Sequence, residues 1–376
     1  MPPLPISAFE TKQKEMISLL KSLVEIESPT NEKASVDKVG QFIVSKVQAL
    51  GGVTKTYPQT HTGDHLIFQW GSGSGGVLLM THMDTVFPLG TLQEMPIRVD
   101  DEKFYGPGAL DMKSGIVIAL TTIEVLQEVG RFPNRRVTLL CTSDEETGSK
   151  TSRGLIEKLA LQHDLILCLE PALPDGSLKT WRKGIGRFTI EVLGRSAHAG
   201  SEPEEGINAI LEMSYQIQEV SQLADTIKGT TVNVGKIYGG TRTNVVPDKC
   251  LALADVRVVD ASEQNRIDIA LSQLKPHLEG AEILVKGSWN RPPMPRTELM
   301  IETFLGAKQI GNQIGLTLNE GGTGGGSDAN FVAPLEKPVL DGLGAVGGGA
   351  HSPREFLELK SLVERTALLA ALITDW

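Results

Sequence analysis

The stretch VTLLCTSDEETGS, Val137 to Ser149, decides how this chain is read. Its first five residues are apolar enough for a buried strand, and three carboxylates follow, Asp144, Glu145 and Glu146. A solvated turn could hold three acids, but adjacent carboxylates repel, and a surface turn more often mixes signs. The same arrangement recurs elsewhere. Val77-Leu-Leu-Met80 runs into THMDTV, with His82 and Asp84. Leu165 to Leu169 runs into Glu170, and Val339-Leu340 runs into a glycine-rich segment that reaches His351. Helical spacing separates these runs, over Glu15–Leu23, Lys33–Leu50, Gly115–Val129, Arg153–Leu161 and Leu299–Gly315. Continuous apolar strands alternating with helices predict an α/β fold with a mostly parallel sheet and helices on both faces. In such a sheet the carboxyl ends of the strands share one edge, and ligands bind there.

The pattern changes near Gly184. Arg187-Phe-Thr-Ile-Glu-Val192 alternates like a half-exposed strand, and a helix over Gly206–Ile227 follows. Strands over Thr230–Ile237 and Leu251–Val259, a helix over Glu263–Leu278 and a strand over Ala281–Lys286 complete the series. The order β-α-β-β-α-β is ferredoxin-like. The expected organisation is a discontinuous catalytic domain at 1–183 and 292–376, with an inserted α+β domain at 184–291.

Composition narrows the function. The chain has 376 residues, 40% of them hydrophobic and 22% charged, with a net charge of −10. That length favours two domains, and the acidity argues against a nucleic-acid partner. No apolar run approaches the roughly 18 residues of a membrane span, and the N-terminus lacks the pattern of a signal peptide. Three cysteines without CxxC spacing, Cys141, Cys168 and Cys250, read as buried thiols and fit a reducing cytoplasm.

His82 and Asp84 lie two apart, so on an extended chain both point to one side, and Asp84 can orient and polarise His82. Asp111, in GPGALDMKSG, precedes an apolar helix and could cap it. Beside the other groups it reads as a metal ligand. His82, Asp111, Glu145, Glu146, Glu170 and His351 make two imidazoles and four carboxylates, a donor set suited to two Zn²⁺ ions. One carboxylate is then left over to take a proton from water. In the triplet, one glutamate binds metal and its neighbour works as base. GLGAVG, residues 342–347, matches GxGxxG, but Pro353 follows where a dinucleotide site needs a long helix. GGTGGGS lacks the GK[ST] ending of a phosphate loop. His61, His65, His163 and His277 fall outside any motif and read as surface groups.

THMDTVFPLG, GPGALDMKSG, SDEETGS, LEPA, GRSAHAGSEPEEGINAI, NVVPD, GGTGGGSDA and GAHSPREF together resemble the co-catalytic zinc exopeptidases and amidohydrolases. That family includes glutamate carboxypeptidase, acetylornithine deacetylase, succinyl-diaminopimelate desuccinylase, aminoacylase and tripeptidase. The resemblance spans nearly the whole chain. It implies that Asp111 bridges two zinc ions, that His82 and Glu170 complete one, and that Glu146 and His351 complete the other. It makes Glu145 the general base and Asp84 the partner of His82. The inserted domain becomes a lid that forms a homodimer, with His198 of SAHAG stabilising the oxyanion in the neighbouring subunit. Asn244 and Arg291 match substrate-contacting positions, as does Arg257 more weakly. Co²⁺ or Mn²⁺ could replace zinc. Glutamate at position 170, with GGTGGGSDAN, favours the carboxypeptidase G branch and a small peptide or N-acyl amino acid substrate with a free carboxylate. The alternatives are an N-acyl-amino-acid deacylase, then an aminopeptidase. A non-catalytic metal-binding homologue would have no use for Glu145.

Overall fold

A computed structural model describes residues 3–73 and 75–376. Two compact units divide the chain. The larger holds the residues up to Trp181 with Arg296–Thr323 and Ser327–Trp376; the smaller holds Arg182–Pro295 with Gly324–Gly326.

The larger unit is mixed α/β around a six-stranded sheet. Strands Val77–His82, Val137–Thr142, Leu165–Cys168 and Val339–Leu340 run parallel. The first three are buried along their whole length, as their largely apolar sequences favour. Two antiparallel strands, His65–Trp70 and Val53–Tyr57, extend the sheet beyond Val137–Thr142. The edge strand VTKTY is largely exposed and carries polar side chains, which suits an unpaired edge. The Ser114–Glu128 helix is buried on nearly every side and packs against the C-terminal helix Leu359–Asp375. The C-terminal helix adds to the elements expected from the sequence. A small sheet pairs Lys103–Tyr105 with Phe356–Glu358, and Phe356–Leu357 with Gly347–Gly348.

Glycine is required where this unit holds Glu170. A Cβ at Gly115 would lie 2.4 Å from the Leu169 carbonyl oxygen, and one at Gly344 would lie 2.4 Å from the same oxygen and 2.8 Å from that of Glu170. The backbone that carries Glu170 is thus wedged between two close-approaching segments.

The smaller unit has a four-stranded antiparallel sheet in the order Thr231–Gly239, Lys249–Val258, Gly184–Leu193, Glu282–Arg291. Helices Ala209–Ser221 and Ala261–Ser272 each start with a side-chain cap, from Asn208 and Asp260. Alternation along Lys249–Val258 turns Cys250, Ala252, Ala254, Val256 and Val258 into the interior. Thr231–Gly239 forms an edge and leaves Ile237 and Tyr238 more than half exposed.

Candidate metal centre

The strand Val77–His82 delivers His82 to the sheet edge, where its side chain is 2% exposed. Its Nε2 lies 3.2 Å from Asp111 Oδ1 and 3.5 Å from Glu170 Oε1. Its Nδ1 lies 2.9 Å from the Asp84 carbonyl oxygen and 3.4 Å from Asp84 Oδ1. The nearest partner of the ring is therefore the backbone of Asp84. The Asp84 carboxylate also accepts hydrogen bonds from Thr30 Oγ1 at 2.7 Å and from the backbone N–H groups of Glu145 and Glu146 at 3.3 and 3.2 Å. One buried residue thus ties the His82 ring to the acidic turn Asp144–Glu146.

Asp111 does not cap the Ser114–Glu128 helix. Its two oxygens instead face two rings: Oδ1 faces His82, and Oδ2 lies 3.1 Å from His351 Nε2. His351 Nε2 is also 3.3 Å from Glu146 Oε2. His351 has φ +61°, a left-handed conformation that costs a non-glycine residue about 1–3 kcal/mol and tends to occur at functional sites. One oxygen or nitrogen from each of His82, Asp111 and Glu146 lies within 4.8 Å of the others, and the same holds for His82, Glu145 and Glu170. The structure therefore brings all six of these groups to one edge of the larger unit.

Burial by itself would lower the proton affinity of His82, but hydrogen bonds to Asp111, Asp84 and Glu170 raise its pKa well above the usual value. Hydrogen bonds to Asp111 and Glu146 push His351 up to about 11. Burial would raise the pKa of Asp111, but His351 and His82 hold it well below the usual range. Burial pushes Glu146 up to about 7, and among the described residues its buried Oε1 has no hydrogen-bond partner. The cluster concentrates negative charge that only cations offset. Its imidazole nitrogens and carboxylate oxygens suit a catalytic zinc site, and Glu146 Oε1 is a further oxygen that could ligate an ion.

Several residues around this cluster escaped the sequence reading. Glu355 is fully buried, and its carboxylate accepts from the backbone N–H groups of Gly108, Leu110 and Asp111 at 3.3, 2.8 and 3.1 Å. Burial pushes its pKa up to about 8. Its only sequence signal is its place four residues after His351 in GAHSPREF. Burial lowers Lys113 to about 7, and its Nζ donates to the Ile26 carbonyl at 2.7 Å.

Two of the histidines read as surface groups are not. His65 and His163 are each 1% exposed. His65 lies between Ser143 Oγ at 3.0 Å and Thr151 Oγ1 at 2.9 Å, and Thr151 in turn donates to Asp144. His163 lies between the Leu159 carbonyl at 2.7 Å and Thr138 Oγ1 at 2.8 Å. Hydroxyl partners far away in sequence allow these rings to be buried. His61 and His277 are exposed.

In the smaller unit, His198 is exposed and its Nδ1 accepts from the N–H groups of Gly200 and Ser201 at 3.1 and 3.0 Å. In a neutral ring the proton is then on Nε2, which can only donate. The backbone of Asn244 accepts from Ala199 N–H at 3.0 Å, and Asn244 is also exposed. Arg291 ends its strand and is 3% exposed. Arg257 forms a two-pronged pair with Asp255 at 2.6 and 3.1 Å and donates to the Gly324 carbonyl at 3.2 Å, so its fork is engaged within the unit.

Comparison with known proteins identifies the class. The family model described as peptidase family M20/M25/M40 matches residues 78–375. Carboxypeptidase G2 of Pseudomonas sp. (strain RS-16) is 32% identical over 98% of this chain and 91% of its own. Acetylornithine deacetylase of Salmonella arizonae is 27% identical over 95% of this chain and 96% of its own. Among solved structures, the aminopeptidase PepT of Bacillus cereus superposes with a TM-score of 0.78 at 22% identity, covering 96% of this chain and 98% of its own. The chain belongs to peptidase family M20/M25/M40 and is a hydrolase of the metallopeptidase and amidohydrolase kind.

Proposed function

We propose that this hydrolase cleaves an amide bond to release a C-terminal amino acid, glutamate or another residue bearing a carboxylate, from a small peptide or N-acyl amino acid. The observation that carries the reading is Asp111, whose two oxygens face the rings of His82 and His351 at 3.2 and 3.1 Å with further carboxylates around them. His82, Asp111 and Glu170 would hold one divalent ion, and Asp111, Glu146 and His351 a second. Zinc suits these donors, with Co²⁺ or Mn²⁺ as substitutes. Bound there, the ions would polarise the scissile carbonyl and lower the pKa of water to about 7.

The protein's own groups supply the remaining work. The Glu145 carboxylate takes a proton from the attacking water and returns it to the amide nitrogen as the C–N bond breaks. The water oxygen becomes part of the new carboxylate, and the amino acid leaves as an amine. His198 Nε2–H donates to the developing oxyanion. Arg291, whose planar fork matches a carboxylate, binds the substrate's free acid, and Asn244 contacts the substrate. The exposed Ile237 and Tyr238 on an edge strand support a homodimer through this unit, with His198 serving the partner's site. Three free, buried cysteines suit a reducing cytoplasm. Among the described residues, no helix is long and apolar enough to cross a membrane.

A second reading, an N-acyl-amino-acid deacylase, is favoured by the acetylornithine deacetylase relative. A panel of C-terminal-glutamate dipeptides and N-acyl amino acids, assayed after chelation and re-addition of Zn²⁺, Co²⁺ or Mn²⁺, separates the two. The expected result is loss of activity on chelation, recovery with metal, and cleavage that fails when the substrate's C-terminus is amidated. Equal rates on free acid and amide would sink the carboxypeptidase reading. Full activity in exhaustively metal-free protein would sink the metal reading.

A further inference from the structure

Asp111 and His351 arrive on loops far apart in the chain, yet both loops leave the same end of one small sheet. The strand Lys103–Tyr105 leads into Gly106–Asp111. The strand Phe356–Glu358 is preceded by the loop that carries His351. These strands are antiparallel with Phe356 opposite Tyr105, so the outgoing loop and the incoming loop start side by side. Glu355 stands at that junction. Its own N–H donates to the Ser352 carbonyl at 3.1 Å, which closes the turn after His351. Its side chain crosses to the other loop and accepts three N–H groups, with Oε1 taking Leu110 and Asp111 and Oε2 taking Gly108.

We infer that Glu355 is a positioning residue, a buried carboxylate that fastens the Asp111 loop to the His351 loop and so fixes the span between those two side chains. The inference rests on the reading that Asp111 and His351 hold metal. Two features separate this role from general core filling. Three backbone N–H groups converge on its two oxygens, one of them that of Asp111 itself. The bonds are divided between the two oxygens, Oε1 to Leu110 and Asp111 and Oε2 to Gly108, which fixes direction as well as distance. Groups that orient ligands from behind typically alter metal affinity by about 10–100-fold when removed.

The test titrates metal-free wild type, Glu355→Ala and Glu355→Gln with Zn²⁺ in competition with a chromophoric chelator. Glutamine keeps an oxygen for Leu110 and Asp111 but sets an NH₂ against Gly108. Glu355→Ala should therefore bind Zn²⁺ about 10–100-fold more weakly, with Glu355→Gln in between. A purely structural Glu355 would lower the melting temperature of the metal-free variants and leave the affinity of the folded molecules unchanged, which overturns the inference. Should Glu355→Ala fail to fold, amide hydrogen exchange in metal-free wild type decides the matter. Gly108, Leu110 and Asp111 should be protected together, and rapid exchange at Leu110 and Asp111 would show that the bonds do not hold the loop. Wild type that takes up no Zn²⁺ overturns the metal reading itself, an outcome distinct from equal binding by wild type and variant.

Discussion

His82 ends one strand and His198 follows another, and they are held in opposite ways. His82 is buried, with carboxylates of Asp111, Glu170 and Asp84 around its ring. His198 is exposed, and two backbone N–H groups fix its ring through Nδ1. The first ring sits in concentrated negative charge and is suited to sharing a cation. The second is open to solvent and has one N–H to offer. Burial alone does not make the difference. His163 is as buried as His82, but its neighbours are a carbonyl and a hydroxyl, and burial lowers its pKa where carboxylates raise that of His82.

The comparison breaks first at Glu145. Glu145→Gln should lower kcat by about 10²–10⁴-fold, the scale of general acid–base catalysis, and retain the metal content of wild type. Collapse of metal content would instead make Glu145 a ligand, consistent with its place beside His82 and Glu170. At His198 the expected loss is about 10²–10³-fold in kcat, the cost of one oxyanion donor, with metal affinity unchanged. Mixing His198→Ala with Glu145→Gln under subunit exchange should restore part of the activity; verified heterodimers without recovery would place His198 in its own chain's site or in none.

Asp84→Asn should weaken metal binding by about 10–100-fold. The two backbone bonds to the acidic turn predict a further fall in kcat at saturating metal. A fall in affinity with unchanged kcat would confine Asp84 to the His82 ring. The smallest effect concerns His163. Its pKa in the folded protein lies below the ordinary 6.5, so in that window the unfolded chain binds protons more readily. The stability it contributes is present above pH 6.5 and is lost as pH falls through the folded value. The advantage of wild type over His163→Asn should therefore shrink on acidification, by at most about 1.4 kcal/mol per pH unit. A constant difference between pH 5 and 8 in thermal melts would show that the ring is not held neutral.

Much of this was legible in the sequence because each polar group of the cluster stands next to an unmistakable apolar run or glycine turn. His82 ends a buried strand, Glu145, Glu146 and Glu170 come two to four residues after one, and alternation in the smaller unit exposed its β-α-β-β-α-β order. Glu355 was not legible because its partners lie 244–247 residues away and are backbone groups, which leave no side-chain signature. His65 and His163 were misread for a related reason. Their burial depends on Ser143, Thr151 and Thr138, which periodicity does not connect to them. The antiparallel strand His65–Trp70 lacks an unbroken apolar run because His65 and Gln69 interrupt it.

The wedge formed by Gly115 and Gly344 turns position 170 into a ruler. With Gly115 against the Leu169 carbonyl and Gly344 against those of Leu169 and Glu170, the chain there cannot advance or retreat to suit a different side chain. Reach toward His82 is then set by the number of carbons in the side chain, and exchanging Glu170 for aspartate would withdraw the carboxylate by one bond length, about 1.5 Å, with no loop movement to make up the gap. A change of one methylene at this point would be read out directly as a change in the spacing of the site.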